Sequence, residues 1–141
     1  MDTSKLLSMS KAELENLFEH SPAGPFPNGE AKGTAIIAPG TLFTKEIAEF
    51  ISVFAWQGKT FDAKNHTLVN RITAFGLNAI LARVDKEPSW VDGKECIVLD
   101  YSKTSVAAHW IRDEIRFLGN GLYLGTVFWE KKRLIYFSLQ F

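Results

Sequence analysis

The sequence predicts a mostly β domain, an eight-stranded antiparallel up-and-down barrel with a short N-terminal helix and a second short helix after the first strand. Three observations carry this expectation. From Trp56 onward apolar and polar residues follow the period of strands, and turn-forming residues recur at about every eight to twelve positions. Aromatic residues make up 13% of the chain, eleven of them Phe, and such side chains favour strands. Helical spacing is confined to two short stretches.

Residues 1–21 read as an N-terminal segment and residues 22–141 as the barrel. Ser10-Lys11-Ala12-Glu13 has capping-box spacing, with the Ser hydroxyl and Glu carboxylate placed to satisfy free N–H groups at a helix start. Met9 and Leu14 stand at staple positions. Leu14, Leu17 and Phe18 form one apolar face, so the helix is expected to lie against the body of the domain, for instance across one end of the barrel. Residues 22–33 are dense in Pro and Gly and read as a loop. Gly33 to Pro39 reads as the first strand. In residues 45–54, Ile47, Phe50, Ile51 and Phe54 have helical spacing. Further strands are expected near 57–63, 67–74, 76–85, 94–101, 106–118, 121–129 and 133–140, with reversals at Ala63-Lys64-Asn65, Asp92-Gly93 and Gly119-Asn120-Gly121.

Composition narrows the function classes. Basic and acidic residues number 16 each, so no net basic field draws the chain to nucleic acid or to an anionic membrane. Neither partner is expected. The single cysteine, Cys96, forms no intrachain disulfide and reads as a small buried hydrophobe. The apolar patch at Leu6, Leu7 and Met9 is too brief for a signal-peptide core, and a cytoplasmic location is expected. His20, His66 and His109 follow no metal-ligand spacing, so no metal and no cofactor is expected.

Gly58-Lys59-Thr60 lacks the leading glycine of a phosphate loop, because position 53 is Val. Gly119, Gly121 and Gly125 stand between two strand patterns and open no helix, so they read as a hairpin turn. Asn65-His66-Thr67 matches a glycosylation sequon but also reads as a turn.

The segment His109 to Phe117 is the most informative. Strand alternation puts Ile111, Asp113, Ile115 and Phe117 on one face and Trp110, Arg112, Glu114 and Arg116 on the other. Asp113 therefore faces an apolar interior, where a carboxylate must be hydrogen-bonded, charge-paired or protonated. It is the candidate catalytic acid or base, with a structural Asp as the alternative. The charged face reads as solvated, and Arg112→Ala is expected to change little. By the same alternation Asn70 lies with Leu68 and Ile72, and Tyr101 with Ile97 and Leu99, so both project polar tips inward.

Trp56 to Phe61, the Asp92-Gly93 turn, Leu99-Asp100-Tyr101, Asp113 to Arg116 and Gly121 to Gly125 together resemble a family of small calycin-type, lipocalin-like barrels, over roughly residues 22–141. The first strand differs from that of the secreted lipocalins, since Gly33-Thr34-Ala35 lacks their Trp. The resemblance implies a barrel that binds one small apolar or amphipathic ligand, with isomerase, cyclase or decarboxylase chemistry in a minority of similar folds. The expected ligand-binding set is Lys59, Asn70, Tyr101, Ile111, Asp113, Ile115 and Tyr123.

Three readings stay open from sequence. The first is a binding protein for a small hydrophobic or aromatic molecule, as a monomer or a homodimer. The second is an enzyme of isomerase, cyclase or lyase type using Asp113. The third is an interaction domain with a filled barrel and outward Trp110 and Trp129.

Overall fold

The computed structural model describes residues 1–42, 44, 45, 47, 48, 59–72, 77–102 and 111–141, with the side chains of residues 59, 69–72 and 77–81 outside the description. Two helices, α1 (Thr3–Leu7) and α2 (Lys11–Glu19), precede eight strands: β1 (Gly29–Ile36), β2 (Lys59–Asp62), β3 (Thr67–Ile72), β4 (Leu77–Pro88), β5 (Glu95–Asp100), β6 (Ile111–Gly119), β7 (Leu122–Trp129) and β8 (Lys132–Gln140). Each strand pairs antiparallel with the next, and β8 returns to β1 to close the barrel. Closure divides β1 in two. Gly29 to Ala31 pair with β2, while Lys32 to Ile36 pair with β8.

Each expected strand has its counterpart among the described residues, with residues 57–58, 73–74, 76 and 106–110 outside them and β4 running on past 85 to Pro88. The first strand starts at Gly29, inside the stretch read as loop, because Glu30, Ala31 and Lys32 find ladder partners despite the surrounding Pro and Gly. The helix expected over residues 45–54 lies mostly outside the described residues; within it the Ala48 N–H donates to the Thr44 carbonyl. Helix α1 was not anticipated from the sequence. Asp2 caps it by accepting from the Lys5 N–H at 2.8 Å. The capping box at Ser10 and Glu13 is formed as its spacing implies, and His20 occupies the C-cap of α2.

The short turns bear out the local chemistry. Gly119, Asn120 and Gly121 have φ of 97°, 49° and 71°, the left-handed region that a tight hairpin requires. The β7–β8 reversal places Glu130 (φ 50°) and Lys131 (φ 72°) in the same region, where residues carrying a Cβ are strained. Gly125 is needed for another reason: a Cβ there would lie 2.2 Å from the Phe137 ring, which covers it from the neighbouring strand.

Two apolar layers result from strand alternation. The inner one lines the barrel and contains Phe61, Leu68, Val84, Leu99, Ile115, Val127 and Phe137 among others. The outer one joins Leu6, Leu14 and Phe18 of the helices to Ile36, Leu122, Leu124 and Tyr136 on the outer wall. The helices thus cover the side of the barrel around β1, β7 and β8, and not its end. Burying each of those helical side chains contributes about 1.5 to 3 kcal/mol.

This cover corrects the reading of the outer face of β6. Glu114 is 0% and Arg116 1% exposed. Both point away from the barrel interior, but α2 and the 89–94 loop lie over them. All five guanidinium N–H donors of Arg116 find acceptors: Nε reaches the Glu95 carbonyl at 3.2 Å, Nη1 the Phe18 carbonyl at 2.9 Å and Asp92 Oδ2 at 2.7 Å, and Nη2 Asp92 Oδ1 at 2.7 Å and the Lys94 carbonyl at 3.1 Å. The guanidinium also sits 4.5 Å from the Phe18 ring centroid. Glu114 accepts from Ser89 Oγ, from the Trp90 N–H at 2.8 Å and from Arg112 Nε at 3.1 Å and Nη2 at 3.0 Å. Arg112 is consequently no indifferent surface cation, because its removal strips a buried carboxylate of its counter-charge.

Two expected outcomes follow from these contacts. Replacing the strained reversal by Glu130→Asn with Lys131→Gly should raise stability by about 1 to 2 kcal/mol in denaturant unfolding, since Asn-Gly suits positive φ at both positions. For Asp92, the side-chain hydrogen bonds from Arg116 outweigh the opposing effect of burial and hold its carboxyl at about 2 instead of 3.8. A carboxyl depressed on folding adds stability above its unfolded value and loses it as pH falls from about 4 to about 2. Asp92→Asn should therefore cost about 2 to 4 kcal/mol at pH 7. Unfolding curves of the two proteins should converge as pH falls through that window.

Candidate functional site

Antiparallel alternation gives the barrel two unlike ends. At one end lie the short turns 63–66, 89–94 and 120–121, together with the chain before β1 and the C-terminal Phe141. The connections 37–58, 73–76, 101–110 and 130–131 all leave from the other end.

The short-turn end is sealed by aromatic rings. Tyr123 packs against Phe117 and Phe141 at centroid distances of 5.1 and 5.6 Å, and Phe61 against Phe141 at 5.4 Å. The loop before β1 folds over them: the Phe117 N–H donates to the Pro22 carbonyl, and the Tyr123 hydroxyl donates to the Pro25 carbonyl at 2.8 Å. Gly24 permits that approach, because a Cβ there would fall 2.2 Å from Phe117 Cβ. Burial pushes the Tyr123 hydroxyl up from its ordinary value of 10.0, so it remains a donor.

Asp113 lies toward the opposite end. It is 0% exposed, pairs in register with Leu99 and Val127, and stands between Ile111 and Ile115 on the inner wall, in the register that alternation predicts. The Tyr101 hydroxyl, also fully buried, donates to its Oδ2 at 3.4 Å. Tyr101 reaches this position because β5 ends one residue earlier, at Asp100, and continues the inward series Ile97, Leu99, Tyr101.

The structure thus brings Tyr101, Ile111, Asp113 and Ile115 together and separates Tyr123 from them. Tyr123 pairs with Phe117, four ladder positions from Asp113 along β6, about 13 Å away. Its hydroxyl is committed to the loop. Lys59 and Asn70 are register partners on β2 and β3, but their side chains lie outside the description. His109 and Trp110 also lie outside the described residues. Trp129, expected on the outer surface, is partly buried against the inner cluster, two positions beyond Val127 on the same face.

Cys96 is fully buried on the outer face of β5 and its thiol points to the Glu87 carbonyl at 3.5 Å. Burial chiefly, with the nearby Glu114 carboxylate, pushes the thiol up to about 12. It does not serve as a thiolate nucleophile. Among the described residues no group of three or more His, Cys, Asp and Glu is placed to hold a metal ion, and no helix is long and apolar enough to cross a membrane.

A concavity, which sequence reasoning did not identify, lies by the long-connection end. It encloses about 300 Å³ between the start of α2, the segment after β1 and the start of β8. Lys11, Lys132 and Arg133 line it, with no carboxylate among the described lining residues. No local motif signals this site, because its cations come from opposite ends of the chain.

Set beside solved structures, the chain superposes on a protein from Thermomonospora curvata with a TM-score of 0.69, covering 97% of this chain and 93% of that one at 19% sequence identity. Likeness at that identity shows a shared fold. No family model matches the sequence, and no curated protein matches it.

The thiol chemistry is open to direct measurement. Iodoacetamide at pH 7 should leave Cys96 unmodified in the folded protein and label it fully after unfolding in guanidinium, as read by intact mass.

Proposed function

We propose that this protein binds a small, largely apolar or aromatic molecule inside the barrel and holds its polar end with Asp113 and Tyr101. The observation that carries the reading is a fully buried carboxylate with a phenol hydroxyl beside it on a wall otherwise built from Ile111, Leu99, Val127 and Ile115. A few convergent polar groups in an apolar concavity are the usual chemistry of a small-molecule site. Small inward residues stand elsewhere around the barrel, Ala31, Gly33 and Ala35 on β1 and Ala82 on β4. The likeness to calycin-type barrels supports the same reading, since eight strands enclose an interior of the size of one small ligand.

The acceptor character of the carboxylate selects a ligand bearing a hydroxyl or amine at its polar end. An enzymatic reading uses the same pair. Tyr101 would orient a substrate oxygen while Asp113 moves a proton, as in isomerase or lyase chemistry.

Native mass spectrometry of freshly purified protein, followed by thermal-shift screening of aromatic alcohols and amines, tests the proposal. Asp113→Asn should stay folded and weaken the best ligand by about tenfold or more, because the carboxyl that holds the ligand's polar end is replaced by an amide. The exposed turn variant Lys64→Ala should bind as the parent does. A stability loss for Asp113→Asn with unchanged affinity would assign Asp113 a structural role and remove the basis for both readings.

A further inference from the structure

The cleft by the long-connection end shares no lining residue with the Asp113 site. Among the described residues its polar side chains are cations and hydroxyls. Lys11 is the first residue of α2, and Lys132 and Arg133 open β8. Arg133 is held in place, donating from Nη1 to Glu15 at 2.9 Å and from Nη2 to the Tyr136 hydroxyl. One of the three charges is thereby offset. Lys11 and Lys132 are exposed and have no ion-pair partner among the described residues, so two positive charges of the cleft remain for a ligand.

Thr41 and Thr44 add hydroxyls to the lining. The remaining wall is apolar. Ile47 and Leu134 belong to or pack against the inner cluster and give the cleft a greasy floor, and Leu42 stands at the lining with 81% of its surface exposed. A ligand with an apolar body would cover Leu42 and pack along the stems of the two lysines. About 300 Å³ is at the lower limit of ordinary ligand pockets and suits a molecule of one or two rings.

We propose that this cleft is a second binding site, for a small organic anion: a carboxylate, sulfonate or phosphate carried on an apolar body, with Lys11 and Lys132 taking the charge and Leu42 and Leu134 the body. This site stands independently of the barrel reading.

Calorimetric titration with naphthalene-2-carboxylate tests the assignment, with naphthalene-2-methanol as the neutral counterpart and inorganic phosphate as the anion without a body. The carboxylate is expected to bind saturably, and Lys11→Glu with Lys132→Glu to weaken it by about tenfold or more, since charge-assisted contacts are replaced by repulsion. Both positions are exposed, and Glu at the first turn of α2 favours the helix dipole, so the fold should survive. Should it not, Lys11→Gln with Lys132→Gln gives the same reading through charge removal. Lys64→Ala, an exposed turn residue at the opposite end of the barrel, should leave the affinity for the carboxylate unchanged, and Leu42→Ser should lower it. Unaltered affinity in the lysine variants, a loss in Lys64→Ala equal to theirs, or inorganic phosphate binding as tightly as the carboxylate would each overturn the proposal.

Discussion

The buried guanidinium of Arg116 is the constraint on which the outer half of this molecule depends. An arginine removed from water carries a large desolvation cost unless every donor is matched. Here the acceptors come from three separate pieces of chain: the end of α2, the 89–94 loop and the start of β5. None of these can shift without leaving a charge unsatisfied. The contact with the Phe18 carbonyl also places a cation at the C-terminal end of α2, where the helix dipole favours it. Glu114, two residues away on the same face, fixes the first part of the same loop through Ser89 and Trp90. Together the two charges fasten the helical segment to a barrel that would otherwise present apolar Leu122 and Leu124 to solvent.

This arrangement leaves the barrel asymmetric in a way that matters for function. One end is closed twice, by the aromatic rings of Phe61, Phe117, Tyr123 and Phe141 and by the Pro-rich loop laid over them. A ligand would have to approach from the end where the long connections leave. Asp113 and Tyr101 lie toward that end, and so does the cationic cleft. The aromatic seal and the proposed binding groups are segregated along the barrel axis. The division between tightly paired turns and longer loops is the one in which binding groups are commonly found.

Charge is what strand alternation handles least well. An inward carboxylate and an outward arginine follow from the same register in β6, yet both are buried. Asp113 is buried by the barrel that it lines. Arg116 is buried by a helix some hundred residues earlier in the chain, the contact to Phe18 spanning 98 positions. Accessibility cannot be deduced from the side of a sheet a residue occupies, because a second layer can cover either side.

The sequence by itself determined the local content of this fold. Period-two alternation placed Asp113 with Ile111 and Ile115, the Gly119-Asn120-Gly121 reversal set the β6–β7 hairpin, and the Ser10 to Glu13 box started α2, each because backbone geometry is dictated by residues only a few positions apart. Gly29 to Lys32 escaped that logic, since ladder partners on β2 and β8 overrode a local preference for loop. Only the tertiary structure decided which charges are buried, that Tyr123 belongs to the closed end and not to the Asp113 site, and that Lys11 meets Lys132 across one cleft. These are long-range outcomes: they depend on where barrel closure and the returning N-terminal segment bring distant residues together, and no window of neighbouring residues contains that information.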